Sequence, residues 1–166
     1  MKIIKRNGSE VLFDITKIEN AIITKRENTT VGHYGTICLP YAVNNYTGAT
    51  FYEVAGKEDN KIIFDQVTEL EAGMPYIFLA EATEIKLAQV GTPVGSPSNN
   101  KSLYGTFTPI TKAENNILTN NYIMYNNIIK KCGSYCSLAE NRAYFNSTEL
   151  NNLDVAPAPV QGRRRV

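Results

Sequence analysis

Gly35–Val43 reads GTICLPYAV, and Gly73–Ala80 reads GMPYIFLA. Each sets a Pro-Tyr pair beside aliphatic or aromatic residues, the side chains that suit a buried strand. Together they mark the centre of a β-rich domain, with further strands between and after them. Outward from this pair the same signals recur. Thr50–Ala55 (TFYEVA) mixes β-branched and aromatic residues, and a charged turn separates it from Lys61–Val67 (KIIFDQV), which suggests a hairpin. Glu84–Val90 (EIKLAQV) alternates, with Ile85, Leu87 and Gln89 on one side and Lys86 and Ala88 on the other.

Upstream of the pair, Val31–Val43 reads as one strand with Gly32 and Gly35 near its start. Downstream, Gly91–Ser102 (GTPVGSPSNNKS) is the most loop-like stretch in the chain. Strand patterns return at Leu103–Thr108. Short strands around Asn turns are expected over 116–118, Tyr122–Asn126 and Ile128–Lys131, and Arg142–Phe145 is the last. Short strands at this spacing imply an antiparallel sandwich or a partly open barrel. Tyr (10 residues) and paired asparagines such as Asn126-Asn127 fit β structure with polar turns.

The N-terminus differs. Lys2–Lys5 and Glu10–Phe13 flank Asn7-Gly8, a strong hairpin signal. Asp14 or Thr16 can cap a helix running to Ile23, since Ile15, Ile18 and Ile22 share one helical face. The fold class is therefore mainly β with a short N-terminal ββα appendage. The expected organisation is a ββα segment over 1–24, a polar connector over 25–30, the β-rich domain over 31–153 and a disordered Pro/Arg tail over 154–166.

With 166 residues the chain can bury a core without staples, and 43% hydrophobic and 20% charged residues are ordinary for a globular protein. A formal net charge of +1 provides no global field toward nucleic acid or anionic membrane. No apolar run reaches the roughly 18–20 residues of a membrane-spanning helix. Glu10, Asp14 and Lys17 interrupt anything that could serve as a signal-peptide core, so the chain as written is expected in the cytoplasm.

Two resemblances add to this reading. Ile4-Lys5-Arg6-Asn7-Gly8, Phe13-Asp14, Lys17-Ile18 and Ala21-Ile22 resemble the opening of the ATP-cone, the regulatory domain of ribonucleotide reductases, most of all the anaerobic type. The resemblance implies that Lys5, Arg6 and Lys17 lie near the phosphates of ATP or dATP. Nothing after Ile23 continues the cone, and Asn7 replaces its usual Asp. The chain is too short for the reductase's catalytic barrel. From Thr30 to about Val166 the chain resembles the β-rich domain near the C-terminus of secreted and cell-surface proteins of Bacteroides-like bacteria, often found after leucine-rich repeats. The residues that carry this are Tyr34–Tyr41, Gly48–Tyr52, Leu70–Phe78, Gly105–Phe107 and Asn141–Tyr144. Gly162–Arg165 resembles the basic stretch before a sorting tail. This resemblance implies a non-catalytic spacer or interaction module outside the cell, with a protein or glycan partner and no cofactor. Because the two resemblances imply different compartments, the chain reads as a fusion or truncated product.

Chemistry-bearing residues are sparse. Cys132 and Cys136 (CGSYC) are spaced for a disulfide if a hairpin joins them, or else stay as free thiols; the spacing does not suit zinc. Cys38 with His33 and Asn44 could form a thiol nucleophile, but an apolar strand favours an inert thiol. Glu69, Glu71, Glu81 and Glu84 read as a solvated face. Tyr34, Tyr41, Tyr46, Tyr52 and Tyr76 could line a carbohydrate-binding face or fill the core. Catalytic and metal residues are expected to be absent.

Overall fold

Residues 2–4, 10–12, 21–58 and 61–147 are described by the structure, a computed structural model. Fourteen strands occur among them, all pairings are antiparallel, and there is no helix. Lys2–Ile4 (β1) and Glu10–Leu12 (β2) form the expected N-terminal hairpin, with Ile3 opposite Val11. The helix expected to run to Ile23 does not reach its end. Ile22–Glu27 (β3) is a strand, and residues 13–20 lie outside the described residues. Consecutive β-branched residues tolerate either state. Pairing with a long neighbouring strand offers β3 six cross-strand partners, and this outweighs one helical stripe. Lys25–Glu27, read as part of a connector, thus belong to the β domain. The 154–166 tail lies outside the described residues.

The two apolar stretches, expected at the centre of the β domain, pair with each other. Tyr34–Cys38 (β4) and Pro75–Ala80 (β8) are direct neighbours, with Gly35 opposite Phe78 and Ile37 opposite Tyr76. Strand β8 then pairs with Ala49–Glu58 (β6), which pairs with Lys61–Val67 (β7), for an order β4-β8-β6-β7. The single strand expected over 31–43 breaks at Leu39-Pro40-Tyr41, since Pro40 has no N–H to donate to a ladder. Its second half, Ala42–Thr47 (β5), joins Glu84–Val90 (β9) and β3 in a separate sheet ordered β3-β9-β5. Gly48 makes the turn from β5 to β6 at φ +94°, and a methyl group there would sit 2.4 Å from the Glu84 carbonyl oxygen. Only glycine fits both conditions.

The third large sheet is C-terminal: Asn99–Asn100 (β10), Leu103–Thr106 (β11), Tyr122–Tyr125 (β12), Ile128–Lys131 (β13) and Arg142–Phe145 (β14), ordered β10-β11-β14-β12-β13. Residues 116–118, expected as a strand, are instead turn structure. None of the sheets closes into a barrel, so the sandwich alternative holds.

The β4-β8-β6-β7 sheet is covered on both faces. Tyr52, Val54, Phe64 and Ile77 pack with Leu103, Tyr122, Ile129 and Phe145 of the C-terminal sheet. Ile37, Phe51, Tyr76 and Phe78 pack with Val43, Ile85 and Leu87 of the β3-β9-β5 sheet. Alternate residues of one strand therefore enter different cores. This explains why β8 reads as an unbroken apolar run: a strand buried on both faces has no polar side to show. Burying one such side chain contributes about 1.5–3 kcal/mol.

Asparagine makes many of the corners. Of the seven non-glycine residues at positive φ among those described, six are Asn: Asn28, Asn115, Asn120, Asn126, Asn127 and Asn141. Its short polar side chain tolerates the left-handed region and can bond locally.

Candidate ligand-binding groove

Strand β4 lies at the edge of the middle sheet, and its outer side faces β14. The Thr36 hydroxyl donates to the Ala143 carbonyl oxygen and accepts from the Ala143 N–H, both at 3.0 Å. Cys38 N–H donates to the Asn141 carbonyl oxygen at 3.0 Å, and Asn141 Nδ2 returns a bond to the Cys38 carbonyl oxygen at 3.1 Å. At the other end, Asn127 Oδ1 accepts from Tyr34 N–H at 2.7 Å while its Nδ2 donates to Gly32 O at 3.1 Å. The edge strand is thus clipped to the C-terminal sheet at three points along its length.

Two adjoining concavities, of about 400 and 300 Å³, open beside this seam. Both are lined by Arg26 of β3, its neighbour Glu27, and Arg142 of β14. Arg26 is half-buried, with its guanidinium carbon 5.0 Å from the centroid of the Phe78 ring, a cation–π distance. Phe78 takes that position because its cross-strand partner is Gly35: a methyl group there would lie 2.3 Å from Phe78 Cζ. The glycine of the first apolar stretch and the phenylalanine of the second therefore build the platform under Arg26.

The electrostatics of the pair are unusual. Burial, and secondarily the positive charge of Arg142, push the Arg26 guanidinium down to about 9, while Glu140 acts the other way. Burial also lowers Arg142, again opposed by Glu140. Arg142 Nη1 donates to the Glu140 backbone oxygen at 3.1 Å. Among the described residues, no carboxylate lies within ion-pair distance of either guanidinium, and the Arg26 guanidinium has no hydrogen-bonding partner. Two neighbouring cations with most of their donors unclaimed can together accept an anion. The lips of the larger concavity carry small polar side chains, Thr29, Thr30 and Ser137, and Tyr125, which is 55% exposed.

Of the described residues singled out from sequence, His33 and Tyr34 line the larger concavity, and the cysteines and the other tyrosines and glutamates lie outside both. Lys5, Arg6 and Lys17 lie outside the described residues. Cys132 and Cys136 do come together. Both are free thiols, and Cys132 is pushed up to about 12, first by burial and then by its hydrogen bond with Cys136. Cys38 is 1% exposed, donates to the Gly73 carbonyl oxygen at 3.3 Å, and is pushed up to about 12 by burial, so its nucleophilic thiolate is suppressed. His33 is exposed and lines the larger concavity. Tyr52 and Tyr76 are buried, Tyr34 packs edge-on against Phe64, and Tyr46 packs edge-on against Phe51. These four serve the two cores and form no common surface. Of the glutamates, Glu81 accepts from Thr50 Oγ1 at 2.9 Å and Glu84 stands 4.0 Å from Lys86 Nζ. Among the described residues no three His, Cys, Asp or Glu side chains converge as a metal site.

Sequence reasoning missed Arg26 by assigning it to a connector. The alternation Thr24, Arg26 against Lys25, Glu27 was the available signal for a strand. Nothing in the chain's order points from Arg26 to Arg142. Compared with known proteins, the chain matches no family model, no curated protein and no solved structure.

Proposed function

We propose that this chain is a non-catalytic interaction module of a bacterial surface or secreted protein, and that it engages its ligand in the groove over Arg26 and Arg142. The observation that carries this reading is the pair of guanidiniums without carboxylate partners, held on strands beside a seam of backbone clips. Positioned charge of this kind gives recognition when the scaffold is rigid. The cell-surface assignment draws on the resemblance of residues 30–166 to bacterial surface domains.

The reading is tested by applying the full chain to a glycan array and then incubating each bound glycan with the protein. A bound glycan recovered unchanged by mass analysis is the expected result. Turnover of that glycan would overturn the non-catalytic assignment, and a silent array would remove the glycan partner. Calorimetric titration of ATP and dATP is the parallel control. Saturable binding lost in a Lys5→Ala, Lys17→Ala variant would move the binding function to the N-terminal segment.

A further inference from the structure

We infer that the groove receives an extended acidic peptide, which adds as a strand to the free side of β3 and seats a carboxylate between Arg26 and Arg142. This rests on the interaction-module reading above and specifies the partner.

Strand addition follows from the backbone of β3. In the order β3-β9-β5 this strand is outermost, so every second residue of Ile22–Glu27 turns its N–H and carbonyl oxygen away from β9. Among the described residues, no hydrogen bond outside the β9 ladder reaches these backbone groups. Successive side chains of a strand point to opposite faces, so a hollow against one face meets every second residue. The smaller concavity instead meets Thr24, Lys25, Arg26 and Glu27 in succession, and so runs along the strand's edge. Its far wall is Glu140, Asn141 and Arg142, and an added strand would lie between the two. The lip of the larger concavity is already engaged. The Thr29 hydroxyl donates to the Ala82 carbonyl oxygen at 2.7 Å, and Lys130 Nζ stands 5.3 Å from the centroid of the Tyr125 ring.

The acid follows from the charges. Arg26 is held against Phe78 with its guanidinium N–H groups unclaimed, and Arg142 commits one nitrogen to the Glu140 carbonyl oxygen. Lys25 adds an exposed cation beside them. The groove's own carboxylates, Glu27 and Glu140, are exposed, and neither lies within ion-pair distance of a guanidinium. An aspartate or glutamate of the added strand can accept from both guanidiniums at once. Ile22 shares a strand face with Arg26 and is 48% exposed, so it selects an aliphatic residue at the matching spacing from that acid.

The experiment applies the full chain to an array of random six-residue peptides, the length of β3, and then titrates the best binder by fluorescence anisotropy. Bound sequences should be enriched in Asp or Glu at one position. Replacing that acid by its amide should cost about tenfold or more in affinity, as should Arg26→Gln and Arg142→Gln in the protein. N-methylation of the peptide backbone should abolish binding at alternate residues and spare those between, because every second amide meets β3. That alternation is read on the unmodified protein, so it holds as a test even if Arg26→Gln fails to fold.

Binding indifferent to the position of N-methylation would overturn the proposal. So would unchanged affinity for the amide peptide or in Arg142→Gln. An array on which no peptide binds would overturn it as well, and a glycan bound on the separate glycan array would then leave the interaction-module reading intact. Self-association of the chain in sedimentation, abolished by Arg26→Gln, would assign the edge to a second copy and likewise overturn it.

Discussion

Asn127 offers the sharpest test of how the edge strand is held. It is the second residue of the two-residue loop between Tyr125 and Ile128, at φ +64° after Asn126 at +47°. Two positive φ values in such a loop are the mark of the hairpin turn that matches strand twist. The same side chain reaches across to clip Tyr34 N–H at 2.7 Å and Gly32 O at 3.1 Å. Replacing it with alanine removes a partly buried bond worth about 1 kcal/mol and an exposed one worth about 0.5 kcal/mol. It also forces a β-carbon without a polar group into the left-handed region, for about 1 kcal/mol more. Asn127→Ala should therefore lose about 2–3 kcal/mol, a fall in Tm of about 5–10 °C for a domain of this size. Asn127→Gly tolerates the turn but loses both bonds, so it should lose only about 1–2 kcal/mol. Asn127→Asp keeps the acceptor for Tyr34 N–H but sets an oxygen against the Gly32 carbonyl. Urea unfolding followed by circular dichroism gives all three values. Equal losses for alanine and glycine would refute the conformational part of the reasoning. A loss below about 0.5 kcal/mol in every variant would show that the clip does not hold the edge.

Two further outcomes follow from the packing around Cys38. In Gly105→Ala the new methyl would sit 2.3 Å from Cys38 Sγ and 3.1 Å from its Cβ, so thermal melts should show about 1–3 kcal/mol of destabilisation. Adding Cys38→Ala should recover about 1 kcal/mol relative to the sum of the single variants, and strict additivity would refute the contact. The Cys38 thiol, raised from 9.0 to about 12, keeps its proton in the folded state after the unfolded chain has lost it. Stability from this group is complete below pH 9 and falls as pH rises from there toward 12, by about 1 kcal/mol per unit. Arg26, lowered by burial, acts in the opposite sense in both proteins and cancels in a difference. The stability of the wild type relative to Cys38→Ala should therefore decline between pH 8 and 10.5 in urea titrations, and a constant difference would refute the assignment.

The legible parts of this fold were those in which one side chain type decides a local state. Lys61–Val67, Glu84–Val90 and Arg142–Phe145 stand where their β-branched and alternating residues placed them. The pairing of Lys2–Ile4 with Glu10–Leu12 was anticipated from the turn signal in the sequence between them. Ile22–Glu27 was misjudged because three isoleucines at helical spacing carry no information about the free edge of Glu84–Val90 waiting to be paired. The break at Pro40 was similarly hidden. It separates two strands of different sheets, and the choice of sheet depends on distant partners.

Taken by itself, the amino-acid sequence determined a mainly β, antiparallel architecture, the apolar pair at its centre and the asparagine corners, because these rest on propensity, alternation and turn chemistry within a few residues. It determined much less about the surface. That Tyr52 and Tyr76 are core side chains follows only from sheets on both faces of the middle layer. That Arg26 and Arg142 share one groove follows only from how the edges of three sheets meet. Pairing between distant strands is decided by which edges remain unsatisfied once the rest of the chain has packed. The candidate site, built wholly from such pairings, exists only in the tertiary structure.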